Sequence, residues 1–411
     1  MLSRAANAAI VLAAVSSFAL AQDGTYGVTV PVTASFGVMD THRLQQSDPS
    51  RRAATYGFRV TASPTLRFGR HWFVYASLQE RLTPYFYYDA YYPDHDFDFD
   101  LLQAFLGYSL RSGKTALVFK AGELSTAFGA FPLRYDDMQN PLNDQPLAYN
   151  TQLPLTARQL PCGTRDVLHQ SYGYVWNFCG GPSGWVDGSV PATQYALPGV
   201  QIELSSGRFD ARAQLADGSP ANPLGWVSPR SYAQWAAGGG YTIRQGFRAG
   251  MSGFRGPYLS PGLRGALPSG SSPRSFPAGG LGFDSQWARG RFSLNAEWQR
   301  FWFAEPGFQV SPSLTAGYGE LKAVLTPRVY LACRAGWLSP GEIVDHAGIR
   351  ADHFAPGLRN LETGAGIWLN RRQLVKISYS WLHMQGDAGH DYDVLGLQLV
   401  TSFTPLNRAF R

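Results

Sequence analysis

NRRQLVKISYSWLHM, running from Asn370 to Met384, sets the reading of the whole chain. Asn370-Arg371-Arg372-Gln373 has the polar chemistry of a tight hairpin turn. After it, Val375, Ile377, Tyr379 and Trp381 alternate with Lys376, Ser378 and Ser380. A period of two is what the pleat of a β-strand imposes, so one face of this strand is apolar and the other polar.

The same grammar recurs outward in both directions. Phe292, Leu294, Ala296 and Trp298 oppose Ser293, Asn295, Glu297 and Gln299; Phe209, Ala211, Ala213 and Leu215 oppose Asp210, Arg212 and Gln214; Val200, Ile202 and Leu204 oppose Gln201, Glu203 and Ser205. About sixteen such segments follow one another between residue 26 and residue 403. Short turns such as Ser206-Gly207, Arg289-Gly290-Arg291 and Pro327-Arg328 alternate with longer loops such as 37–55, 83–97, 256–278 and 339–357. Regular alternation of short and long connections predicts an all-β fold: a transmembrane antiparallel β-barrel with short turns on the periplasmic side, long loops outside and both termini periplasmic. A soluble β-sandwich would also alternate; the strand count and loop asymmetry favour the barrel. The final segment sets Leu395, Leu397, Leu399 and Phe403 against Gly396, Gln398, Val400 and Ser402, and either Phe403 or Phe410 serves as its terminal aromatic.

The N-terminus reads as a leader. Arg4 precedes the apolar stretch Ala5 to Phe18, and Ala19-Leu20-Ala21 fits the small-x-small cleavage rule. Residues 1–21 are thus expected to be a signal peptide and 22–411 the barrel, in the bacterial outer membrane. Beyond the leader no apolar run of about eighteen residues occurs, which excludes helical spanning. Charged residues make up 16%, aromatics 14%, and there are 45 glycines, a balance suited to aromatic girdles and close strand packing. The formal net charge is +6. The arginines are dispersed and not clustered, so the charge suggests an anion preference in a lumen and not a nucleic-acid partner.

The third long connection, about 124–198, is exceptional in length, and a loop of that size implies a function. It contains Arg134, Asp136, Asp137, Asp144, Arg158, Arg165 and Asp166. It is read as a constriction or plug within the lumen, with a surface cap as the alternative. Cys162 and Cys179 lie in it, and export favours a disulfide between them, worth on the order of 3 kcal/mol by the chain-entropy argument. Cys333 lies in an alternating strand as a buried or lipid-facing thiol.

Alternation also nominates pore-lining side chains: Arg59, Lys120, Arg212, Arg248, Lys322, Arg334 and Lys376 among the bases, with Glu203, Asp210, Glu297, Glu320 and Glu362 among the acids. Opposed charges across a polar lumen select solutes; the competing reading is that they pair across strands to satisfy a polar interior. Asp96, Asp98 and Asp100 share one face near an outer loop and read as a solvated acidic rim. Their spacing lacks the glycine and terminal glutamate of a calcium loop, so no metal is expected. GxSxG, HExxH and P-loop motifs are absent, and His383, beside Trp381, is the one strand histidine to test for hydrolase chemistry.

FKAGELSTAFGAFPLRYDD, Phe119 to Asp137, resembles the strand-to-loop junction of bacterial porins of the phosphate-selective porin O/P type. Those carry a basic-x-Gly-basic strand end followed by a Phe-Gly or Pro-Phe turn. The likeness covers Phe119 to Gly129, extended by Asn140-Pro141. Glu123 stands where a basic residue is usual, and the family's arginine ladder and lysine cluster do not map onto this chain. The resemblance implies a channel without supporting phosphate selectivity. The expected function is passive, cofactor-free diffusion of ions and small polar solutes, with outer-membrane lipid around the barrel and a homotrimer by analogy with sixteen-stranded porins. The alternatives are a non-conducting scaffold or surface-binding barrel, and an outer-membrane hydrolase.

Overall fold

The computed structural model describes residues 26–40, 54–82, 97–134, 136–169, 178–181, 189, 191–192, 194–195, 197–219, 222–223, 233–385 and 390–410. Residues 1–21, expected from sequence to be a leader, lie outside them, as do Asp94, His95 and Asp96. Sixteen staves form the wall. They are β1 (Tyr26–Asp40), β2 (Ala54–Ala62 and Thr65–Phe68), β3 (Trp72–Leu82), β4 (Phe97–Ser112), β5 (Thr115–Leu124), β6 (Leu197–Ser206), β7 (Phe209–Ser219) and β8 (Ala233–Arg244). They continue as β9 (Phe247–Pro257), β10 (Pro277–Arg289), β11 (Phe292–Phe303), β12 (Ser313–Thr326), β13 (Val329–Pro340), β14 (Leu358–Asn370), β15 (Gln373–Met384) and β16 (His390–Phe410). Each pairs antiparallel with its neighbours in sequence, and β1 pairs with β16 from Tyr26↔Phe410 to Asp40↔Leu395. That last pairing closes the barrel and leaves no open edge.

Prolines mark where the wall departs from a uniform ladder. Pro64 has no N–H to donate, and β2 breaks at Ser63-Pro64 instead of running unbroken from 56 to 68. Ser63 N–H donates to the Pro31 carbonyl at 2.9 Å and Ala76 N–H to the Pro64 carbonyl at 3.0 Å, so the break stays bonded. The β1–β16 register slips between Val30 and Val32, opposite Leu406 and Phe403. The slip sets Pro31 and Pro405 outside the regular ladder, and β16 runs on past Phe403 to Phe410. At the short turns Gly207 (φ +61°) and Gly290 (φ +59°) take the left-handed conformation that tight hairpins need.

The two faces of the wall differ as the alternation requires. On β15, Leu374, Lys376, Ser378, Ser380 and Leu382 are buried, while Ile377 and Tyr379 are exposed. Trp72, Phe209, Tyr241 and Phe292 are exposed near the short-turn end, and Tyr56, Trp235, Trp302 and Trp337 near the long-loop end. Between these bands Ile202, Met251, Ile377 and Leu397 are exposed. Two aromatic girdles around an apolar belt match the polarity profile of a bilayer. Cys333 shares the outer face with Leu331, at intermediate exposure.

Candidate functional site

β5 and β6 remain paired up to Leu124↔Leu197, and the chain between those residues is the long third loop. Its described residues pack against inward-facing side chains. Thr126 N–H donates to the Gln194 carbonyl at 2.9 Å and ties the loop's two ends together. Phe128, fully buried, meets Phe254 of β9 and Phe301 of β11 edge-on at 5.0 and 5.6 Å. Phe131 packs on Tyr149 of the loop and Tyr318 of β12. The barrel interior therefore holds an aromatic core that burial of this segment stabilises.

Polar groups of the wall satisfy the inserted backbone. Arg212 donates to the Ala127 carbonyl at 2.7 Å and also to that of Gly129. Gln214 accepts from Ala127 N–H and donates to the Ser125 carbonyl, each at 3.0 Å. Glu297 accepts from the hydroxyls of Tyr149 (2.7 Å) and Tyr318 (2.6 Å) and from Ala130 N–H (3.2 Å). Lys376 donates to three loop carbonyls, Asp137 and Leu142 at 3.0 Å and Asn140 at 3.2 Å. Arg334, wholly buried, bridges Glu320 (2.6 Å) and Glu362 (3.2 Å) and reaches Asn140 Oδ1 and the Asp144 carbonyl at 2.8 Å. Glu362 accepts from the N–H groups of Asn143 and Asp144. A backbone threaded through a barrel needs such partners, because each buried polar group left unpaired costs about 1–3 kcal/mol.

The remaining nominated charges pair across the wall. Lys120 meets Glu203 at 2.6 Å, and Arg248 bridges Asp210 and Asp284, each at 2.6 Å. Lys322 lies over the Tyr330 ring at 4.2 Å. In the loop, Arg134 pairs with Glu320 at 3.1 Å, and Arg59 of β2 pairs with Asp137. Burial pushes the Asp137 carboxyl up, but Arg59, Lys376 and the Ser35 hydroxyl outweigh it and hold it below the ordinary carboxylate range. The neighbouring Asp136 is raised, by burial first and by Asp137 beside it. Among the described residues the Asp136 carboxyl accepts one hydrogen bond, from the Met138 N–H at 2.8 Å.

Space remains between the loop and the wall of β1–β4, as a cavity of about 380 Å³. The loop faces it with Pro132, Leu133, Arg134, Asp136, Asp137 and Gln139. The wall faces it with Thr33, Thr61, Ser63, Thr65, Ser77 and Gln103, together with Arg59 and Tyr75. Of the seven loop residues singled out from sequence, Arg134, Asp136 and Asp137 thus meet at one cavity. Arg158 and Arg165 do not: both are exposed, in the disulfide-bearing part of the loop. There Cys162 is bonded to Cys179, and Asp166 accepts from Cys162 N–H at 2.9 Å. Thr164 N–H and Oγ1 donate to Asp345 and to the Ile349 carbonyl, so this part docks on the β13–β14 connection, away from the cavity.

Several partners escaped the alternation argument. Ser35, Asn140, Tyr149 and Asp284 all enter the network, and no spacing rule links them. One signal was legible: Gly238-Gly239-Gly240 on β8. A Cβ on Gly238 would stand 2.8 Å from the Ala127 carbonyl, and one on Gly240 would stand 2.3 Å from the Arg248 guanidinium. The glycines open room for the loop backbone and for the arginines that cross the wall.

His383 pairs with Asp391 at 2.6 Å and stacks on Trp381. Arg359 on β14 and Asp391 on β16 stand opposite it, so neither register partner supplies a nucleophilic hydroxyl or thiol. Asp98 pairs with Arg81 at 3.3 Å. Among the described residues no group of three or more His, Cys, Asp or Glu side chains is placed to hold a metal.

No protein-family model and no curated protein sequence matches the chain. Solved structures do match in fold. The outer membrane channel DcaP of Acinetobacter baumannii aligns over 93% of this chain and 99% of its own, at 9% identity and a TM-score of 0.51. OmpT of Vibrio cholerae in its trimer form aligns over 93% and 100%, at 8% identity and 0.51. The anion-selective porin of Comamonas acidovorans aligns over 92% and 98%, at 10% identity and 0.50. Closure through β1 and β16, an apolar belt between two girdles and this shared architecture give the chain the fold of a closed sixteen-stranded antiparallel β-barrel, an architecture it shares with these outer-membrane channels.

Proposed function

We propose that this barrel is a passive diffusion channel for ions and small polar solutes, with the third loop as its constriction. One observation carries the reading: the loop is bonded to the charged half of the wall, meets Ser35 and Arg59 of β1–β2 through Asp137, and leaves a polar cavity along the rest of β1–β4. Solutes would pass between the loop and β1–β4. The phosphate-selective O/P likeness adds nothing finer, because the cavity's two guanidinium groups already hold carboxylates, Asp137 and Glu320.

The anion preference suggested by the chain's net charge is not what this geometry favours. At the level of the loop the carboxylates of Asp136, Asp137, Asp144, Glu297, Glu320 and Glu362 outnumber the cations Arg59, Arg134, Arg212, Arg334 and Lys376. Asp136 faces the cavity with no cation hydrogen-bonded to it. A mild preference for cations is the expected result. Conductance of the refolded protein in a planar bilayer under a KCl gradient tests both points. Discrete steps with a reversal potential favouring K⁺ support the reading, and a folded barrel without steps favours a plugged scaffold.

Trimeric assembly belongs to the same proposal. The outer face of β12–β15 has a shallow apolar depression at Ala323, Cys333 and Ala365, small side chains that let a second barrel approach closely. Cross-linking in detergent would give a three-chain limit if the proposal holds and a single chain if it does not.

A further inference from the structure

The interior is chemically divided. β5–β15 carry the buried charges, and nearly all of these are engaged by the loop or by one another. β1–β4 face the cavity with hydroxyl and amide groups, Arg59 excepted. The side-chain polar groups of Thr33, Thr61, Thr65, Tyr75 and Gln103 meet no hydrogen-bond partner among the described residues, and neither does that of Gln139 on the loop. They form a row of fixed donors and acceptors turned toward open space.

We propose that this cavity is a subsite for a neutral polyhydroxylated solute, the chemistry of a sugar. The inference rests on the channel reading and names the solute class for the same passage. Hydroxyls and carboxamides both donate and accept, so they can exchange hydrogen bonds with solute hydroxyls in many orientations. Asp136 accepts only, and a carboxylate takes O–H donors well. Tyr75, Pro132 and Leu133 supply apolar surface for the C–H face of a ring. The cavity of about 380 Å³ lies at the small end of the range for ligand sites. An anionic solute is a poorer fit, because it would have to pull Arg59 from Asp137 or Arg134 from Glu320.

The test adds sucrose to both chambers during single-channel recording in KCl. Expected are brief, reversible, concentration-dependent interruptions of the current. The double variant Thr61→Val, Gln103→Leu keeps the shape of the lining and removes two free polar groups. It should weaken the sucrose effect about fivefold for each group. Steps without sucrose interruptions, or interruptions by ethanolammonium chloride alone, would overturn the subsite and leave the channel standing. If no steps occur, the channel reading fails instead. Equilibrium dialysis of labelled sucrose against the detergent-folded protein then decides the subsite: binding that the variant weakens supports it, and no binding overturns it. Heat-modifiable gel migration confirms that the variant folds, and the single variant Thr61→Val serves if the double one does not.

Discussion

Lys376 of β15 donates to the backbone carbonyl of Asp137, 3.0 Å away, across a sequence separation of 239 residues. The same ammonium holds the Asn140 and Leu142 carbonyls, so one strand residue pins a whole turn of the loop. Lys376→Met keeps the length of the side chain but leaves three buried carbonyls without their donor and Asp137 without one of its cations. The expected cost is about 3–5 kcal/mol. It should appear as a lower melting temperature and as larger, noisier single-channel conductance.

Asp137 also sets a pH limit. Its folded-state carboxyl lies below the ordinary range despite burial, so its stabilising contribution is present at neutral pH and is lost only as pH falls through that depressed value. Loop anchoring should persist from pH 7 to pH 5, read as constant amide-exchange opening at residues 137–142 once the intrinsic rate is divided out. A rise within that window would contradict the assignment.

Asp136→Asn removes the cavity carboxylate that has no cation bonded to it. The reversal potential in a KCl gradient should move toward that of Cl⁻, with stability changed by less than about 0.5 kcal/mol. Because burial raises the Asp136 carboxyl above its usual value, mild acid should shift the wild-type protein the same way.

Gly238→Ala tests whether the loop backbone and the wall are in close contact. The added methyl would meet the Ala127 carbonyl at 2.8 Å, and backbone cannot swing aside as a side-chain tip can. Overpacking of about 1–3 kcal/mol is expected. Hydrogen exchange should quicken at Ala127 and Phe128 and stay unchanged in β14–β16.

Glu305, in the β11–β12 connection, is buried with its carboxyl bonded to the Tyr258 hydroxyl. Burial pushes it up to about 8, and the Tyr258 bond only partly opposes this. A folded-state value above the unfolded one means stability is fully present in acid and falls as pH rises toward about 8. Glu305→Gln should flatten that slope. Melting temperatures at pH 6 and pH 9 should then differ less than in the wild type.

The strand pattern was open to reading because its cause is local. Each pleat turns successive side chains to opposite faces, so Lys376 and Ser378 could be assigned inward and Ile377 and Tyr379 outward from a dozen residues of sequence. Where a local rule fails, the cause is also local: the missing N–H of Pro64 interrupts β2. The extent of β16 was harder to read, since Pro405 ends a strand by propensity and continues here only because β1 slips its register opposite it.

The interior network follows other rules. Alternation identified Arg334, Glu320 and Glu362 as inward residues but not the loop carbonyls and amides that complete their bonding. It ranked Arg158 and Arg165 with Arg134, although only Arg134 reaches the cavity. A loop has no period, so nothing in its spacing says which side chains turn inward. The sequence by itself determined the order and sidedness of the strands and their approximate number, because pleat and turn chemistry act over a few residues. Only the tertiary structure decided which charges the loop would engage and which wall it would leave free. Those contacts join residues up to 239 positions apart and depend on the closed barrel bringing them together.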